Sequence, residues 1–328
     1  MRVLVTGGAG FIGSHFVRTM LAGGYPGHED AEVTVLDLLT YAGNTANLPP
    51  AHPRLTFVRG DVCDTELLAG LVPGHSCVVH FAAESHVDRS ISGGAQDFVR
   101  TNVLGTQALL EASLRAGVER FVQISTDEVY GSIAQGSWTE DWPLRPNSPY
   151  AASKASAELI ARSYHRTYGM DIRITRCSNN YGPYQYVEKL IPLFITNLLS
   201  GTPVPLYGDG SNVREWLHVD DHCRAVHLVL ARGRAGEIYN IGGGRELTNV
   251  AMTKLLLELC GADAAMVRHV ADRKGHDFRY SVDGSKIRDE LGYRPRIGFE
   301  EGLADVVAWY RDNPGWWKPA AVSDRPTP

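Results

Sequence analysis

The sequence is poor in cysteine and contains no Cys-x-x-Cys pair, no long apolar run and no excess of positive charge. Scattered single cysteines are typical of reduced thiols and argue against a disulfide framework or a zinc site. No segment approaches the length of a membrane span, and "MRVLVTGG" reaches a glycine turn too early for a signal peptide. The net charge of -5 excludes a globally basic, nucleic-acid-binding surface. We therefore expect a cytoplasmic protein that binds neither membranes nor nucleic acids. The five cysteines are Cys63, Cys77, Cys177, Cys223 and Cys260.

The 328 residues suffice for one large or two closely associated domains with a buried core. In the first half, short apolar runs such as "RVLVT", "VTVLD" and "CVVHF" alternate with longer helical patterns. This alternation predicts an α/β fold with a Rossmann-type, doubly wound parallel sheet. After about residue 176 the sequence becomes rich in Asn, Gly, Pro and Tyr. We expect a nucleotide-binding domain formed by residues 1–176 plus 214–246, and a smaller, discontinuous substrate-binding domain formed by 177–213 plus 247–328.

The stretch "TGGAGFIG" follows the first predicted strand and begins the first helix. Gly7, Gly10 and Gly13 allow a tight turn and close approach of a pyrophosphate to a helix N-terminus. Asp37, at the end of the second strand, is placed to accept hydrogen bonds from adenosine ribose hydroxyls. It is followed by Leu38 and Leu39, with no arginine for a 2′-phosphate, which favours NAD over NADP. The alternative is a glycine turn used only for packing.

Tyr150 and Lys154 are four residues apart in "SPYAASKASAEL", so they share one face of a predicted helix. An ammonium group beside a phenol favours the phenolate and is expected to lower the tyrosine pKa. Tyr150 can then remove a proton from a hydroxyl whose carbon transfers hydride to the nicotinamide. The alternative is an ordinary amphipathic helix.

Two adjacent carboxylates, Asp127 and Glu128, end the apolar run in "QISTDEVYG". Acidic residues are disfavoured within strands, so the simplest interpretation is a solvated turn. The alternative is a catalytic pair. Neighbouring side chains in a regular strand point to opposite faces. A shared catalytic role therefore requires that the strand has ended at Thr126, with both carboxylates in a loop or a first helical turn.

These motifs together resemble the extended short-chain dehydrogenase/reductase family. "TGGAGFIG", "FAAESHVDRS", "STDEVYG", "YAASK" and "NNYGP" occur in the family's order along nearly the whole chain. Asp127–Glu128, together with "EKLIP", "REWLHVDDH" and "DRKGHD", is similar to the dTDP-glucose 4,6-dehydratases within that family. The resemblance implies NAD as cofactor, dTDP-glucose as substrate and no metal.

The resemblance also implies a reaction in three steps. The C4 hydroxyl is oxidised, water is eliminated across C5 and C6, and hydride returns to C6 to give dTDP-4-keto-6-deoxyglucose. Glu128 would act as the general base at C5 and Asp127 as the general acid at the C6 hydroxyl, with Thr126 at the C4 oxygen. A protonated Asp127 requires burial or a like-charged neighbour. The rivals are a sugar-nucleotide 4-epimerase or decarboxylase, and a non-catalytic NAD-binding regulator.

The remaining site residues follow from the resemblance. Three of them have a simpler alternative interpretation. His276 could be an exposed loop histidine, Tyr207 could be a core residue, and Arg214 could form a surface ion pair with Glu215. The catalytic residues would be Thr126, Asp127, Glu128, Tyr150 and Lys154. The cofactor would contact Gly7, Gly10, Phe11, Ile12, Gly13, Asp37, Leu38, Leu39, Thr40, Asp61, Val62, Phe81, Ala82, Ala83, Ser85, Thr101, Tyr150, Lys154 and Asn180. The substrate would contact Ser85, Thr126, Asn179, Lys189, Leu190, Pro205, Leu206, Tyr207, Arg214, Asn249, Asp272, Arg273, Lys274, Gly275 and His276.

Three further expectations concern the second half of the chain and the assembly. His218 and His222 flank Asp220 and Asp221 in "HVDDH", which suggests either a metal cluster or a helix N-cap; we favour the N-cap. Trp316 and Trp317 are expected to anchor the final helix. The helical patterns at 102–116 and 151–168 resemble the pair through which the family forms homodimers as a four-helix bundle.

Overall fold

The structure is a computed structural model that describes residues 1–323. Its strands form where the sequence has short runs rich in valine, isoleucine and leucine, because β-branched side chains fit a pleated, buried surface. Val3, Leu4 and Val5, for example, are fully buried in the first strand. The strands are β1 (Arg2–Thr6), β2 (Glu32–Asp37), β3 (Leu55–Arg59), β4 (Cys77–His80), β5 (Arg120–Thr126), β6 (Ile172–Cys177), β7 (Asn179–Tyr181), β8 (Val204–Tyr207), β9 (Val213–His218), β10 (Ile238–Ile241), β11 (Arg245–Thr248) and β12 (Val267–Val270).

Seven of these strands form one sheet in the order β10-β6-β5-β4-β1-β2-β3, and every pair in it is parallel. The predicted doubly wound, Rossmann-type sheet is thereby confirmed. The chain runs outward from β1 to β3 and then returns to β4 beside β1, which makes the ends of β1 and β4 a topological switch point. Ligands of such sheets bind in the crevice at the carboxyl ends of the strands beside this point. The glycine turn and the acidic pair both lie at that edge.

Helices cover both faces of the sheet. On one face Phe16 and Val226 pack into the same buried cluster, and on the other face Leu68, Leu109 and Ala161 do so. The helices are α1 (Phe11–Leu21), α2 (Thr65–Leu71), α3 (Val87–Ile91), α4 (Ala95–Phe98), α5 (Thr106–Ala116), α6 (Pro149–Tyr168), α7 (Leu190–Leu199), α8 (Val219–Arg232), α9 (Asn249–Cys260), α10 (Ser285–Leu291), α11 (Phe299–Asp312) and α12 (Pro314–Ser323), with a π-helix at Val99–Gly105 and 3₁₀ helices at Thr45–Asn47, Asp127–Tyr130 and Ala264–Met266.

The remaining strands form two small sheets. The first has the order β11-β9-β7 and the second pairs β12 with β8. Side chains of α7, α9 and α11, including Phe194, Leu256 and Val306, form a separate buried cluster. Within the segment 214–246, β9 pairs with β7 and β11, whereas β10 pairs with β6 of the large sheet. The division into two domains at the boundaries given above remains a proposal, and residues 324–328 of it lie outside the described residues.

The last described helix is anchored by its tryptophans, as expected. Trp317 is buried, and its Nε1 donates a hydrogen bond to the Tyr310 carbonyl oxygen at 2.7 Å. The Nε1 of Trp316 donates to Asn47 Oδ1 at 2.8 Å, which ties α12 to the loop after β2. Among the helices of residues 1–323, none is long and apolar enough to cross a membrane.

Candidate active site

The glycine turn after β1 leaves no space for side chains. A Cβ atom at Gly7, whose φ is +70°, would lie 2.5 Å from the Ala82 amide nitrogen, and one at Gly13 would lie 2.3 Å from the Gly7 carbonyl oxygen. Gly10 is the N-cap of α1 and has no side chain to block it. The turn therefore presents bare backbone and a helix N-terminus to the crevice, an arrangement that suits a pyrophosphate.

Asp37 ends β2 and is held by two backbone amides. Its Oδ2 accepts a hydrogen bond from Ala9 at 2.9 Å and its Oδ1 one from Leu39 at 2.8 Å. Burial raises the pKa of Asp37, and the two amide bonds oppose that rise. Leu39 adopts a φ of +59° and packs against the apolar core. Leu38 and Thr40 line the cavity described below, whereas Leu39 is not among its lining residues, and its contact with the cofactor remains a prediction.

One large cavity lies at the carboxyl edge of the sheet and contains most of the predicted site. It extends from the glycine turn past the ends of β2, β4 and β5 to the loop that precedes α7. The predicted residues on its wall are Gly7, Gly10, Phe11, Ile12, Gly13, Asp37, Leu38, Thr40, Asp61, Val62, Phe81, Ala82, Ala83, Ser85, Thr101, Thr126, Asp127, Glu128, Tyr150, Lys154, Asn179, Asn180 and Lys189.

The two adjacent carboxylates face this cavity because the strand ends before them. β5 ends at Thr126, and a 3₁₀ helix begins at Asp127. Thr126 caps that helix: its Oγ1 accepts a hydrogen bond from the Glu128 amide at 3.3 Å and donates one to Asp127 Oδ1 at 3.2 Å. The local geometry required for a shared role is thus present. Asp127 is only 2% exposed, so the solvated-turn interpretation is wrong.

The acidic pair is electrostatically strained in the ionised form. Burial raises the pKa of Asp127 well above its ordinary value, and the charges of Glu128 and Glu215 add to the rise. Burial also raises the pKa of Glu128, against the opposing field of Lys189 and of two arginines. Asp127 Oδ2 is buried without a hydrogen-bond partner. Asp127 is therefore the member of the pair that retains a proton more readily, as a general acid must.

Tyr150 and Lys154 lie in the first turns of α6, which begins with an N-cap hydrogen bond from the Ala151 amide to Ser148 Oγ at 3.1 Å. The Nζ of Lys154 donates to the Ile124 carbonyl oxygen at 2.6 Å. Burial lowers the pKa of Lys154 to about 8. Burial, together with the charge of Glu128, raises the pKa of Tyr150 well above its ordinary value. For the protein groups alone, the expected lowering of the tyrosine pKa is therefore wrong, since burial and the nearby carboxylates both raise it.

Arg214 is buried and does not form a surface ion pair. Its guanidinium group donates to the carbonyl oxygens of Val213 at 2.8 Å and Asp277 at 3.0 Å, and it lies 4.3 Å from the centre of the Tyr280 ring. The carboxylate of Glu215 instead accepts backbone amides. The alternative interpretation of Arg214 is therefore wrong, while its role toward a diphosphate remains a prediction.

His276 is also not an exposed loop residue. Its side chain is 6% exposed, and its Nδ1 lies 2.7 Å from Asp272 Oδ1. Tyr207 Oη donates to Asp88 Oδ2 at 3.2 Å, so its hydroxyl has a polar partner. Several predicted substrate residues do not line the large cavity and remain predictions. They are Leu190, Pro205, Leu206, Tyr207, Arg214, Asn249, Asp272, Arg273, Lys274, Gly275 and His276.

The cavity wall also includes residues that the sequence interpretation missed. Glu84 and Glu188 lie within the motifs "FAAESHVDRS" and "EKLIP", and a carboxylate next to a predicted ligand-binding residue was the available signal. Cys177, at the end of β6, lines the wall as well, but burial raises the pKa of its thiol to about 12. Such a thiol is a poor nucleophile.

The "HVDDH" motif forms a helix N-cap, as favoured from the sequence. His218 is the N-cap of α8, and its Nδ1 accepts a hydrogen bond from the Asp220 amide at 3.2 Å. The Asp221 carboxylate accepts the amides of Arg296 and Ile297. In the part of the chain that the structure describes, no group of three or more His, Cys, Asp or Glu residues is arranged to hold a metal ion.

Comparison with known proteins gives the family. Residues 4–306 match the family model described as GDP-mannose 4,6 dehydratase. The dTDP-glucose 4,6-dehydratase of Streptomyces niveus is 60% identical over 100% of this chain and 98% of its own. The crystal structure of the dTDP-glucose 4,6-dehydratase DesIV from Streptomyces venezuelae, which contains NAD, is 67% identical, with a TM-score of 0.96 over 98% of this chain and 100% of that chain. The UDP-glucose 4-epimerase of Thermotoga maritima is 34% identical, with a TM-score of 0.87 over 95% of this chain and 99% of that chain. The chain therefore belongs to the GDP-mannose 4,6 dehydratase family.

Proposed function

We propose that the protein is an NAD-dependent dTDP-glucose 4,6-dehydratase, a hydro-lyase that produces dTDP-4-keto-6-deoxyglucose for deoxysugar biosynthesis. The observation that carries the proposal is the pair of the buried Asp127 and the partly buried Glu128, which lies on one cavity wall with Thr126, Tyr150 and Lys154. Full-length relatives with that activity support it.

The cavity fits NAD. The glycine turn excludes any Cβ atom where backbone must approach a pyrophosphate, and Asp37 places a carboxylate at the expected ribose position. Asp61 and Val62 line the wall beyond Asp37, where we place the adenine. Bound NAD supplies the oxidation at C4 of the sugar and the later reduction at C6.

The residues of the chain handle the protons. Tyr150 would accept the proton of the C4 hydroxyl, and Thr126 would position the C4 oxygen. The ketone at C4 acidifies the C5 proton, which Glu128 would remove. Asp127, whose pKa is raised by burial and by Glu128, would donate its proton to the departing C6 hydroxyl. Lys154, held at the end of β5, would keep a positive charge next to the reacting groups.

A 4-epimerase is the nearest alternative. The similarity to an epimerase at a TM-score of 0.87 shows that the fold does not distinguish the two activities. Epimerisation requires oxidation and reduction at C4 but no acid and base at C6 and C5. Placing two adjacent carboxylates on the cavity wall, one of them buried, has a desolvation cost in free energy, and elimination is the reaction that gives both of them a role.

We propose a homodimer formed through the π-helix at Val99–Gly105, α5 and α6. The support is a set of apolar side chains that are each more than half exposed: Val99 and Leu104 on the π-helix, and Leu159 and Tyr168 on α6. Apolar side chains of this size at a helix surface favour burial against a second chain. Light scattering of the L104E/L159E variant tests this, and an unchanged molar mass would contradict it.

We also propose a cytoplasmic location. None of the five cysteines forms a disulfide bond, and three of them are buried in the apolar core. Free thiols in this number are typical of a reducing compartment.

The function is tested with purified protein, dTDP-glucose carrying deuterium at C4, and mass spectrometry of the product. We expect the loss of one water and the transfer of deuterium from C4 to C6. A product of unchanged mass with inverted configuration at C4 would identify an epimerase. Absence of any product, with NAD added, would contradict both activities.

A further inference from the structure

The helix α3 lies within the motif "AAESHVDRS", and the residues of that motif predicted to contact ligands, Ala82, Ala83 and Ser85, all precede the helix. The helix has five residues, Val87–Ile91. Asp88, in its first turn, directs its carboxylate toward the small sheet.

Asp88 joins two parts of the predicted substrate-binding segment. Its Oδ1 accepts a hydrogen bond from Arg273 Nη1 at 3.3 Å, and its Oδ2 accepts one from Tyr207 Oη at 3.2 Å. Tyr207 ends β8, where it pairs with Val270 of β12, and Arg273 follows shortly after Val270 in the chain. One carboxylate therefore ties the end of both strands to α3.

Arg273 lies in a cluster of charges beside the cavity. Its positive charge acts on Glu128, and it disfavours the charged form of Lys189, whose pKa is lowered chiefly by burial. The charge of Asp88 has the opposite effect on Lys189. Without Asp88, Arg273 and Lys189 would repel one another with less compensation, and the arginine would be driven toward solvent.

The guanidinium group of Arg273 retains capacity for another anion. Its side chain is 18% exposed, and its Nε is buried without a hydrogen-bond partner. An arginine offers its donors in a planar fork that fits phosphate oxygens in two parallel hydrogen bonds. With Nη1 held by Asp88, Nε is a donor without an acceptor, which an incoming anion would satisfy.

We propose that Asp88 is a positioning residue that orients Arg273 and Tyr207 to receive the nucleoside diphosphate of the substrate. The identity of that ligand rests on the proposed function. Asp88 acts through Arg273 and touches neither the sugar nor the reacting atoms. An isolated, exposed ion pair contributes little, but this carboxylate has two partners, and one of them is mostly buried.

The test is Asp88→Asn, which keeps the size of the side chain and an acceptor for Tyr207 but removes the charge. The dissociation constant of dTDP is measured by calorimetry on the holoenzyme, and KM and kcat are measured with dTDP-glucose. We expect the dissociation constant and KM to rise about tenfold, with kcat changed by less than about twofold, since a lost charged hydrogen bond of this kind is worth about a factor of ten. Asp289→Asn, which removes the carboxylate of an exposed pair with Arg288, is the control and should change neither constant.

A double-mutant cycle distinguishes positioning from a general structural effect. In the Arg273→Gln background, Asp88→Asn should change dTDP binding by less than about twofold, because the residue through which it acts is absent. Additive effects of the two substitutions, or a fall in kcat at unchanged KM, would overturn the proposal. Binding of dTDP needs no turnover, so protein that binds dTDP but does not dehydrate dTDP-glucose refutes the proposed function alone. Wild-type protein that does not bind dTDP refutes both.

Discussion

The Nζ atom of Lys154, on α6, lies 2.6 Å from the carbonyl oxygen of Ile124, on β5. This hydrogen bond holds the ammonium group against the end of β5, two residues before Thr126. Burial disfavours the charged form of this ammonium group and therefore lowers the pKa of Lys154 to about 8.

The first prediction concerns the pH dependence contributed by Lys154. Between the folded pKa of about 8 and the ordinary value of 10.5, the unfolded chain binds more protons than the folded protein. The free energy of unfolding of the wild type should therefore rise relative to Lys154→Met across this range, by about 3 kcal/mol in all. Denaturant titrations at several pH values, on protein stripped of nucleotide, measure this difference. Lys254→Met, on the surface of α9, is the matched control for the loss of a lysine. A stability difference between the wild type and Lys154→Met that does not vary with pH would contradict the lowered pKa.

The second prediction is that Asp127→Asn stabilises the protein while it abolishes most activity. The folded protein holds the Asp127 proton more tightly than the unfolded chain does, so the wild type loses stability as the pH rises above about 4. Asparagine cannot ionise, so the free energy of unfolding of the variant should exceed that of the wild type at neutral pH. The gain should disappear toward pH 4. Denaturation curves at both pH values measure it, and a variant less stable than the wild type at neutral pH would show that the carboxylate is not strained.

A third prediction separates the roles of the two carboxylates. In D₂O, Glu128→Gln should lose exchange of the C5 proton by a factor of about 10²–10⁴, because the general base is missing. Asp127→Asn should retain this exchange and lose the elimination of water. Mass spectrometry of recovered substrate and product distinguishes the two. The opposite pattern would exchange the assigned roles, and Asp141→Asn in the exposed loop before α6 provides the control.

The fourth prediction concerns the close approach at the glycine turn. In Gly13→Ala the new Cβ would lie 2.3 Å from the Gly7 carbonyl oxygen, so the backbone must move. We expect a loss of about 1–3 kcal/mol in the free energy of unfolding and at least a tenfold weaker binding of NAD. Gly70→Ala, where a Cβ meets no atom within 4 Å, should retain NAD binding. Equal NAD affinity in the two variants would mean that the turn adapts to a side chain.

Local sequence was sufficient for the elements that depend on neighbouring residues. The valine-rich runs, the glycine turn, the N-cap at His218 and the end of β5 at Thr126 all follow from backbone preferences and hydrogen bonds within a few residues. For the same reason the positions of Asp127 and Glu128 at one edge of the sheet were predictable. The packing of Leu39 against the apolar core was not predictable, because it accompanies a positive φ that nothing in a leucine indicates.

The sequence by itself therefore determined the alternation of strands and helices and the glycine turn after the first strand, since each of these depends on short stretches of chain. It also predicted the candidate reacting groups, through motifs that are equally short. Only the tertiary structure decided how strongly those groups hold their protons and which partners they have. The raised pKa of Tyr150, the burial of Arg214 and the link from Asp88 to Arg273 all involve residues far apart in the chain. Desolvation and charge interactions act through space, so they are set by packing that no local pattern records.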